Sequence, residues 1–301
     1  MNILITGASG FIGSELRSFL TRNRHHVIRL VRKPKSGTDE AHWDPAAGLI
    51  DLEPLEGLDG VVHLAGENIA EGRWTPEKQR RIRESRIQGT RFLAQSLARL
   101  FDPPKVLVSV SAIGYYGDRG EEQLDEESEA GTGFLAELCK EWENATGPAV
   151  IRGIRVVTPR IGMVLSAEGG ALPLMLPVFR KGIGGRIGNG RQYMSWITLD
   201  DLVGILDHAI RNESLHGPVN AVTPSPVTNR EFTATLGRVL SKPAVFILPA
   251  FAARVAFGKM ADEVLLASAR VLPTQLKETG YKYTFPELEG ALRHALQITV
   301  Q

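Results

Sequence analysis

The chain has 301 residues, of which 43% are hydrophobic and 23% are charged, and this composition excludes a disordered or fibrous protein in favour of a soluble globular one. With 35 Lys and Arg against 34 Asp and Glu, the formal charge of +1 excludes a whole-molecule field that would collect nucleic acid or an anionic membrane. The single cysteine, Cys139, excludes an internal disulfide, and no apolar run reaches the roughly 18 residues of a membrane span, so we expect a cytoplasmic protein without nucleic-acid or membrane partners.

Short runs of β-branched residues alternate with longer amphipathic segments over the first 160 residues, a pattern typical of βαβ units that build a parallel sheet. The predicted strands are residues 2–6, 26–31, 60–65, 105–109 and 154–160, and the predicted helices are residues 13–23, 75–100 and 134–145. We therefore predict an α/β fold with a Rossmann-like, doubly wound parallel sheet in a domain of residues 1–165, whose sheet later segments complete.

The pattern loosens after residue 165. Five glycines between residues 182 and 190 predict a loop rather than a strand. Further helices are predicted at residues 199–211, 229–240, 251–272 and 286–296. We expect residues 166–301 to form a smaller, mostly helical C-terminal region that covers a substrate cleft.

The strongest local signal is a glycine-rich turn that follows the first predicted strand and opens a helix. It places Gly7, Gly10 and Gly13 at the spacing of a dinucleotide-binding turn. Residues without a Cβ permit the sharp bend, the close approach of backbone to a pyrophosphate, and tight packing of the helix on its strand. The amides at the helix N-terminus then face the phosphates. We predict a cofactor site here; the alternative is a purely structural turn.

The end of the second predicted strand carries bases where the NAD version of this turn carries an acid. Val31 is followed by Arg32 and Lys33, and the nearest acids, Asp39 and Glu40, are expected in a loop. A guanidinium favours the additional 2′-phosphate of NADP through charge-assisted hydrogen bonds. We predict NADP as the cofactor, with Arg32 as the main contact and Lys33 as a weaker one; the alternative is a pair of solvated cations.

Further motifs make the chain resemble a known family. They are HLAGENI at residues 63–69, the pair Arg73 and Trp74, the pair Ser85 and Arg86 followed by Gly89 and Thr90, and GNGRQYMSWITLDDL at residues 188–202. With the glycine turn, they resemble the extended short-chain dehydrogenases/reductases of the NAD-dependent epimerase/dehydratase superfamily, and more narrowly its atypical YfcH-type epimerase branch. The resemblance extends into the predicted C-terminal helices and covers nearly the whole chain.

The resemblance implies a set of cofactor contacts at the pyrophosphate, the adenosine phosphate and the ribose. Besides Arg32 and Lys33, the implied cofactor residues are Gly7, Gly10, Phe11, Ile12, Gly13, Leu64, Ala65, Gly66 and Arg86. Without the resemblance, Arg86 is one of several cations on a predicted helix, for which a solvated face is the alternative. His63 lies inside an apolar strand and is interpreted as a packed residue rather than a catalytic one.

The catalytic residues that the resemblance implies are only partly present. Ser111 matches the Ser that orients the substrate oxygen in typical members. These members also place a Tyr four residues before a Lys, and the matching segment here, residues 134–140, has the sequence FLAELCK. Phe and Leu cannot transfer protons. Tyr116, close behind Ser111, is the candidate proton donor, with Tyr115 and Lys140 as further candidates; packing or ion pairing is the alternative for each.

Two further departures from the family pattern bear on the substrate. Extended epimerases have an Arg-Asp pair after the Gly-x-Gly-x-Gln run, where this chain has Met194 and Ser195, and Met163 stands where they supply an Asn. Both replacements remove polar groups, so we expect a small substrate other than a nucleotide sugar. Glu67 and Asn68 are the remaining polar pair beside the predicted cofactor loop, for which a structural turn is the alternative.

Two functions of different classes fit these observations. The first is an NADP(H)-dependent oxidoreductase or epimerase-like enzyme that acts on a small-molecule substrate with a noncanonical proton donor. The second, motivated by the missing Tyr-Lys pair, is a protein that binds NADP(H) without turnover and reports redox state. No His, Cys, Asp or Glu cluster has metal-ligand spacing, so we expect no metal. The long helix from Thr75 offers a face for a homodimer.

Overall fold

The computed structural model describes residues 1–33 and 37–298 of the chain. These residues form two compact units, each assembled from three segments. The first unit contains residues 1–111, 138–159 and 203–219, and the second contains residues 112–137, 160–202 and those from 220 onward.

Within these residues the strands and helices follow one another closely along the chain. The strands are β1 (Asn2–Thr6), β2 (His26–Val31), β3 (Glu40–Asp44), β4 (Leu49–Ile50), β5 (Gly60–His63), β6 (Val106–Ser109), β7 (Ser111–Ala112), β8 (Gln123–Leu124), β9 (Arg155–Ile161), β10 (Met163–Leu165), β11 (Gly185–Ile187), β12 (Tyr193–Met194), β13 (Trp196–Thr198), β14 (Gly217–Ala221), β15 (Val227–Thr228), β16 (Phe246–Leu248) and β17 (Arg270–Val271). The α-helices are α1 (Phe11–Arg22), α2 (Pro76–Ala98), α3 (Phe134–Asn144), α4 (Gly147–Ile151), α5 (Leu172–Arg180), α6 (Leu199–Arg211), α7 (Asn229–Val239), α8 (Ala250–Phe257), α9 (Thr274–Glu278) and α10 (Leu288–Ala295).

A largely parallel sheet forms the centre of the α/β fold, as predicted. Its strand order is β14-β9-β6-β5-β1-β2-β3-β4. Strand β1 pairs in parallel with β2 on one side and β5 on the other, so Leu4 lies between Ile28 and Val61. The β5–β6 and β6–β9 pairs are also parallel, whereas the short β4 runs antiparallel to β3. Because parallel strands end at a common edge, the segments that follow β1, β2, β5 and β6 all begin there.

Most of the predicted elements of the first 160 residues are confirmed. Strands β1 and β2 have the predicted bounds, while β5, β6, β9 and helices α1 to α3 agree within a few residues. Beyond residue 160, helix α6 also has the predicted bounds. Helix α2 also begins as its sequence indicates: Thr75 is the N-cap, its hydroxyl accepts a hydrogen bond from the Lys78 amide at 3.2 Å, and Pro76 is the first helical residue.

The prediction that Glu40 lies in a loop is wrong. Glu40 begins β3, which pairs in parallel with β2 and extends the sheet by one strand. Its carboxylate is buried and lies 2.6 Å from the Arg29 guanidinium on the neighbouring strand. Burial of this carboxylate is possible because a cation on β2 pairs with it.

Two predictions for the later part of the chain are also wrong. The glycine segment is not entirely loop, because it contains β11, where a Cβ on Gly185 would lie 1.9 Å from the carbonyl oxygen of Phe246 on β16. The single helix predicted over residues 251–272 is instead α8, a π-helical segment (Ala261–Leu265) and β17. Helix α8 ends at Gly258, whose φ of +61° favours glycine.

The second unit combines helices with short paired strands that its sequence pattern does not predict. Strands β10 and β13, β11 and β16, β12 and β15, and β8 and β17 form two-stranded sheets. Its apolar core contains fully buried Trp196 and Phe232, packed with side chains from α5, α7 and α10. Across the parts of the chain described, no helix has the length and apolar character that a membrane crossing requires.

Replacing Phe232 by Ala is expected to reduce the free energy of unfolding by about 3 to 5 kcal/mol, since it removes a fully buried ring and leaves a cavity. Phe101, which is 95% exposed, is the matched control, and Phe101→Ala is expected to change stability by less than about 0.5 kcal/mol. Urea titration followed by circular dichroism measures both. Equal effects of the two substitutions would contradict the assignment of this core.

Candidate functional site

The glycine turn after β1 touches the loop that follows β5. Gly7 has a φ of +68°, and a Cβ there would lie 3.0 Å from the Ala65 nitrogen and 3.0 Å from the Leu64 carbonyl carbon. Any larger residue would therefore be strained and would also push the two segments apart. The turn and the 64–66 loop, both predicted cofactor segments, are brought together by this contact.

The turn leads directly into α1 without a capping side chain. Gly10 is the N-cap of α1 and supplies no side-chain hydrogen bond, and Phe11, Ile12 and Gly13 form the first turn. A Cβ on Gly13 would lie 2.2 Å from the Gly7 carbonyl oxygen, so the helix packs against its own turn. The first amides of a helix lack intrahelical partners, and the helix dipole makes this end positive. An anion of pyrophosphate size fits the chemistry of this end.

Helix α2 holds the backbone of the 64–67 loop from one side. The Glu67 amide donates to Ser85 Oγ at 3.0 Å, and the Glu67 carbonyl accepts from Arg86 Nη1 at 2.9 Å. The Arg86 guanidinium also covers Gly66, where a Cβ would lie 3.4 Å from Arg86 Cζ. On its other side it stacks on Trp142, with 5.0 Å between Arg86 Cζ and the ring centroid. Burial lowers the pKa of Arg86, so the alternative of a solvated cation is wrong for this residue.

An ion-pair cluster fixes the Glu67 side chain. Its Oε1 lies 2.8 Å from the Nζ of buried Lys78 and 3.6 Å from Arg81 Nε. The hydrogen bond from Lys78 and the charge of Arg81 hold the pKa of Glu67 below its usual value. Asn68 instead accepts from the Ala70 amide at 2.9 Å, which is the local turn that its sequence position allows.

A chain of buried hydrogen bonds holds the 64–67 loop on the side of the sheet. Thr6 Oγ1 accepts from the amides of Leu64 and Ala65, each at 3.1 Å, and lies 2.7 Å from His63 Nδ1. His63 Nε2 lies 3.0 Å from Thr90 Oγ1 on α2. Thr90 also accepts from Trp142 Nε1 of α3 at 2.9 Å. The chain therefore joins β1, β5, α2 and α3 beneath the candidate cofactor loop.

The geometry assigns the tautomer of His63. The two amides occupy both lone pairs of the Thr6 hydroxyl, so its hydrogen is donated to His63 Nδ1. Nε2 then carries the ring proton and donates it to Thr90. His63 is fully buried, and desolvation lowers its pKa to about 4, so it is neutral near pH 7. The interpretation of His63 as a packed residue is confirmed.

Arg32 and Lys33 follow directly after β2, at the common edge of the sheet, and both are exposed. Glu40 is not available at this edge to bind a ribose, because Arg29 neutralises its buried carboxylate. The accessible charge beside the end of β2 is therefore positive, which suits a phosphate better than a ribose hydroxyl.

Ser111 lies just beyond β6 and is 3% exposed. Its Oγ is buried and has no hydrogen-bond partner among the described residues. A buried hydroxyl without a protein partner is uncommon, and among the described residues Ser111 shares this state with Thr223 and Thr233.

Tyr116 is placed differently from Ser111, in the core of the second unit. Its fully buried phenol oxygen accepts from Arg160 Nη1 at 2.9 Å and lies 2.7 Å from Asn220 Oδ1 and 2.8 Å from the Asp125 carbonyl oxygen. Burial raises the pKa of Tyr116 to about 12 despite the nearby guanidinium. These contacts favour a structural role over proton transfer.

The other candidates for the missing proton-transfer pair are also engaged or exposed. Arg160 Cζ lies 3.4 Å above the centre of the Tyr115 ring, so this ring packs against a cation in the second unit. Lys140 is an exposed residue of α3.

Ser195, at one of the departures from the epimerase pattern, donates to the Ala269 carbonyl at 2.8 Å and accepts from the Val271 amide at 2.9 Å. It therefore holds a neighbouring segment.

Residues 3–221, more than half of the chain, match the NAD dependent epimerase/dehydratase family. The chain belongs to this family. The family resemblance drawn from the sequence motifs is therefore confirmed. Residues 248–295 of this epimerase-family chain match a second family, described as a domain of unknown function, DUF1731.

Proteins from distant organisms are similar over almost their whole length. An epimerase family protein of Mycobacterium leprae is 44% identical over 97% of this chain and 95% of its own. The human epimerase family protein SDR39U1 is 39% identical over 97% of this chain and 99% of its own.

Two solved structures are similar in fold as well as in sequence. Human SDR39U1, crystallised with NADPH, has a TM-score of 0.89 and 37% identity, with 99% of both chains covered. A nucleoside-diphosphate sugar epimerase of Corynebacterium glutamicum has a TM-score of 0.81 and 37% identity, with 98% of this chain and 58% of that chain covered.

Three residues of this epimerase-family site were not predicted from the sequence: Thr6, Lys78 and Thr90. Thr90 occurs in a motif that carries the resemblance, but its spacing does not show that its hydroxyl meets His63. Lys78 is a buried cation near the positive end of α2, an unfavourable place for a lysine that Glu67 compensates. Only the fold brings these partners together.

Acidification is expected to destabilise the protein through His63. Between pH 6.5 and about 4 the unfolded chain binds a proton at this imidazole that the folded chain does not bind, so the free energy of unfolding falls as the pH falls. The loss from this group amounts to about 3 kcal/mol by pH 4. Urea unfolding at a series of pH values measures it.

The His63→Gln variant is expected to be less stable at neutral pH but to show a flatter pH dependence across this window, because it cannot take up the proton. The exposed His216 provides the matched control, and His216→Gln should retain the wild-type slope. A His63→Gln slope equal to that of the wild type would contradict the buried, neutral imidazole.

Proposed function

We propose that the first unit binds NADP(H) at the carboxyl edge of its sheet. The observation that carries this proposal is the contact of the Gly7 turn with the Leu64–Ala65 backbone, beside an uncapped α1 and beneath the Arg86 guanidinium. Human SDR39U1, which was crystallised with NADPH, is 37% identical over nearly the whole chain and supports the same conclusion.

Each predicted cofactor residue has a physical task under this proposal. Gly7 and the first α1 residues, Phe11, Ile12 and Gly13, present backbone amides to the pyrophosphate, while the Gly10 amide donates to the Gly7 carbonyl and closes the turn. Arg32 and Lys33 hold the 2′-phosphate, Arg32 with a planar pair of donors and Lys33 as a point charge. Leu64, Ala65 and Gly66 line the ribose, and Arg86 keeps this loop in place while adding a positive charge.

We further propose that the protein is an oxidoreductase or epimerase-like enzyme acting on a small molecule. NADPH, when bound, supplies a hydride equivalent. Ser111 orients a substrate oxygen with its hydroxyl, which has no hydrogen-bond partner among the described residues. The proton comes from a group other than a Tyr-Lys pair, since the matching segment of α3 contains Lys140 but no Tyr.

A second candidate function is an NADP(H)-binding protein without turnover, which reports redox state. The burial of Tyr116 among Arg160, Asn220 and Asp125 favours it, because the phenol of the main candidate proton donor is engaged in structural hydrogen bonds. Under both functions we propose a cytoplasmic protein, with α2 offering the face for a homodimer.

Isothermal titration calorimetry tests the cofactor. NADP is expected to bind more tightly than NAD, and Arg32→Ala to weaken NADP by about tenfold to a hundredfold while changing NAD little, because only NADP carries the 2′-phosphate. Arg152, an exposed arginine of the same unit, is the control, and Arg152→Ala should leave both affinities unchanged. Equal affinities for the two nucleotides, unaffected by Arg32→Ala, would remove the proposed preference.

Hydride exchange separates the enzyme from the sensor. Protein with NADPH deuterated at nicotinamide C4 is incubated with a panel of small carbonyl compounds, and stereospecific transfer of the label is expected for the enzyme. Ser111→Ala should reduce this transfer by at least about tenfold, since it removes an oriented hydrogen bond in the transition state, with the affinity for NADPH nearly unchanged. Tight NADPH binding with no transfer to any compound favours the sensor.

A further inference from the structure

The second unit exposes a concentrated set of large apolar side chains within a short segment. Val245, Phe251 and Val255 are 77%, 70% and 73% exposed, and the three other members of the set are at least 39% exposed. We name the whole set the apolar ridge: Val245, Phe246, Ile247, Phe251, Val255 and Phe257. Single exposed apolar residues are ordinary, but a contiguous group of this kind marks an interaction surface.

Most exposed residues of the ridge lie within regular secondary structure, in β16 and α8, and not only at the ends of these elements. Phe246 and Ile247 are neighbours in β16, so their side chains point to opposite faces of the strand, and both are exposed. In α8 the small Ala253 is fully buried, while Phe251 and Val255 face outward. Helix α8 thus has its large apolar residues on the exposed side, the reverse of an ordinary surface helix.

Exposed cations lie at both ends of the ridge. Lys242 precedes it and Lys259 follows it in the chain. Lys181 joins Lys242 at the first end, since a Cβ on Gly182 would lie 3.4 Å from Pro243 Cγ. Arg180, the last residue of α5, is exposed beside Lys181. The ridge is therefore flanked by lysines and an arginine.

Two acidic groups that follow the ridge in the chain are engaged by protein groups. Asp262 lies 2.8 Å from Arg254 Nε in an ion pair. Glu263 accepts hydrogen bonds from the amides of Phe134 and Leu135 at 2.9 and 3.0 Å, where α3 begins. The exposed cations at the ends of the ridge, Arg180, Lys181, Lys242 and Lys259, outnumber these two carboxylates, so the charge at its ends is positive.

Against the expectation from composition that the protein has no membrane partner, we propose that the apolar ridge docks on the surface of an anionic phospholipid bilayer. Phe251 and Val255, on the exposed side of α8, enter the boundary between headgroups and acyl chains, and the flanking cations pair with phosphate headgroups. The formal charge of +1 for the whole chain does not oppose this docking, since attraction acts within a Debye length of the local cations.

Charge favours a bilayer over a second copy of the chain as the occupant. In a twofold pairing of two ridges, Lys181 and Lys242 of one copy would face cations of the other, at either end. Like charges brought together in this way disfavour association. A membrane with anionic lipids meets the same cations with opposite charge.

Co-sedimentation with vesicles tests the proposal on the full chain. Binding is expected with vesicles of phosphatidylcholine and phosphatidylglycerol, and much less with phosphatidylcholine alone. The double variant Phe251→Asp, Val255→Asp should lose this binding, because it places charge on the inserted face. Phe101→Asp, a charge at an exposed aromatic of the first unit, is the matched control and should bind as the wild type does.

A charge variant tests the second element of the surface. Lys181→Glu with Lys242→Glu should weaken binding to the anionic vesicles by at least about tenfold and reduce its salt dependence, as expected for cations that contribute at a charged surface. Circular dichroism and NADPH affinity, which depend on neither end of the ridge, should be unchanged in all variants. Retained NADPH binding keeps this test separate from the cofactor proposal.

Two results would overturn the proposal. The first is equal sedimentation of the wild type and the Phe251→Asp, Val255→Asp variant with anionic vesicles. The second is a concentration-dependent dimer in light scattering that this variant abolishes, without any vesicle binding by the wild type, which would assign the ridge to a second copy of the chain.

Discussion

The backbone contact between the Gly7 turn and the Leu64–Ala65 segment is the constraint on which the candidate cofactor site depends. It requires a residue without a Cβ at position 7, and it brings the ends of β1 and β5 to van der Waals distance. The same segment is held by the Thr6 hydroxyl through two amides and by Arg86 through a carbonyl. The loop is thus held by protein groups on both sides, and such preorganisation reduces the entropy lost on binding.

The cations at this edge divide into two groups with different physical states. Lys78 and Arg86 are mostly buried and bound to protein groups, so they maintain the shape of the loop. Arg32 and Lys33 are exposed at the end of β2. The held cations keep the loop in one conformation, while the exposed cations suit a phosphate that distinguishes one nucleotide from another.

The sequence predicted the sheet well because the strands of a parallel sheet are continuous apolar runs and their helices have a clear period. It failed where glycine or a charged residue lies in a strand. A charged residue such as Glu40 predicts a loop, but Arg29 on β2 neutralises its carboxylate and allows a strand. Gly185 also predicts a loop, but only glycine permits β11 to approach β16. The sequence was sufficient to identify the glycine turn and the basic pair that follows β2. It could not predict the Thr6–His63–Thr90 hydrogen-bond chain, because that chain depends on side-chain directions in three elements.

Trp142 gives the candidate site an intrinsic optical reporter. Its indole donates to Thr90 and carries the Arg86 guanidinium on its face, so it is rigid and belongs to the same network as the cofactor loop. Indole emission overlaps the absorption of reduced nicotinamide. Energy transfer from this ring would therefore reveal occupancy by the reduced dinucleotide as a quenching of fluorescence, without any label attached to the protein.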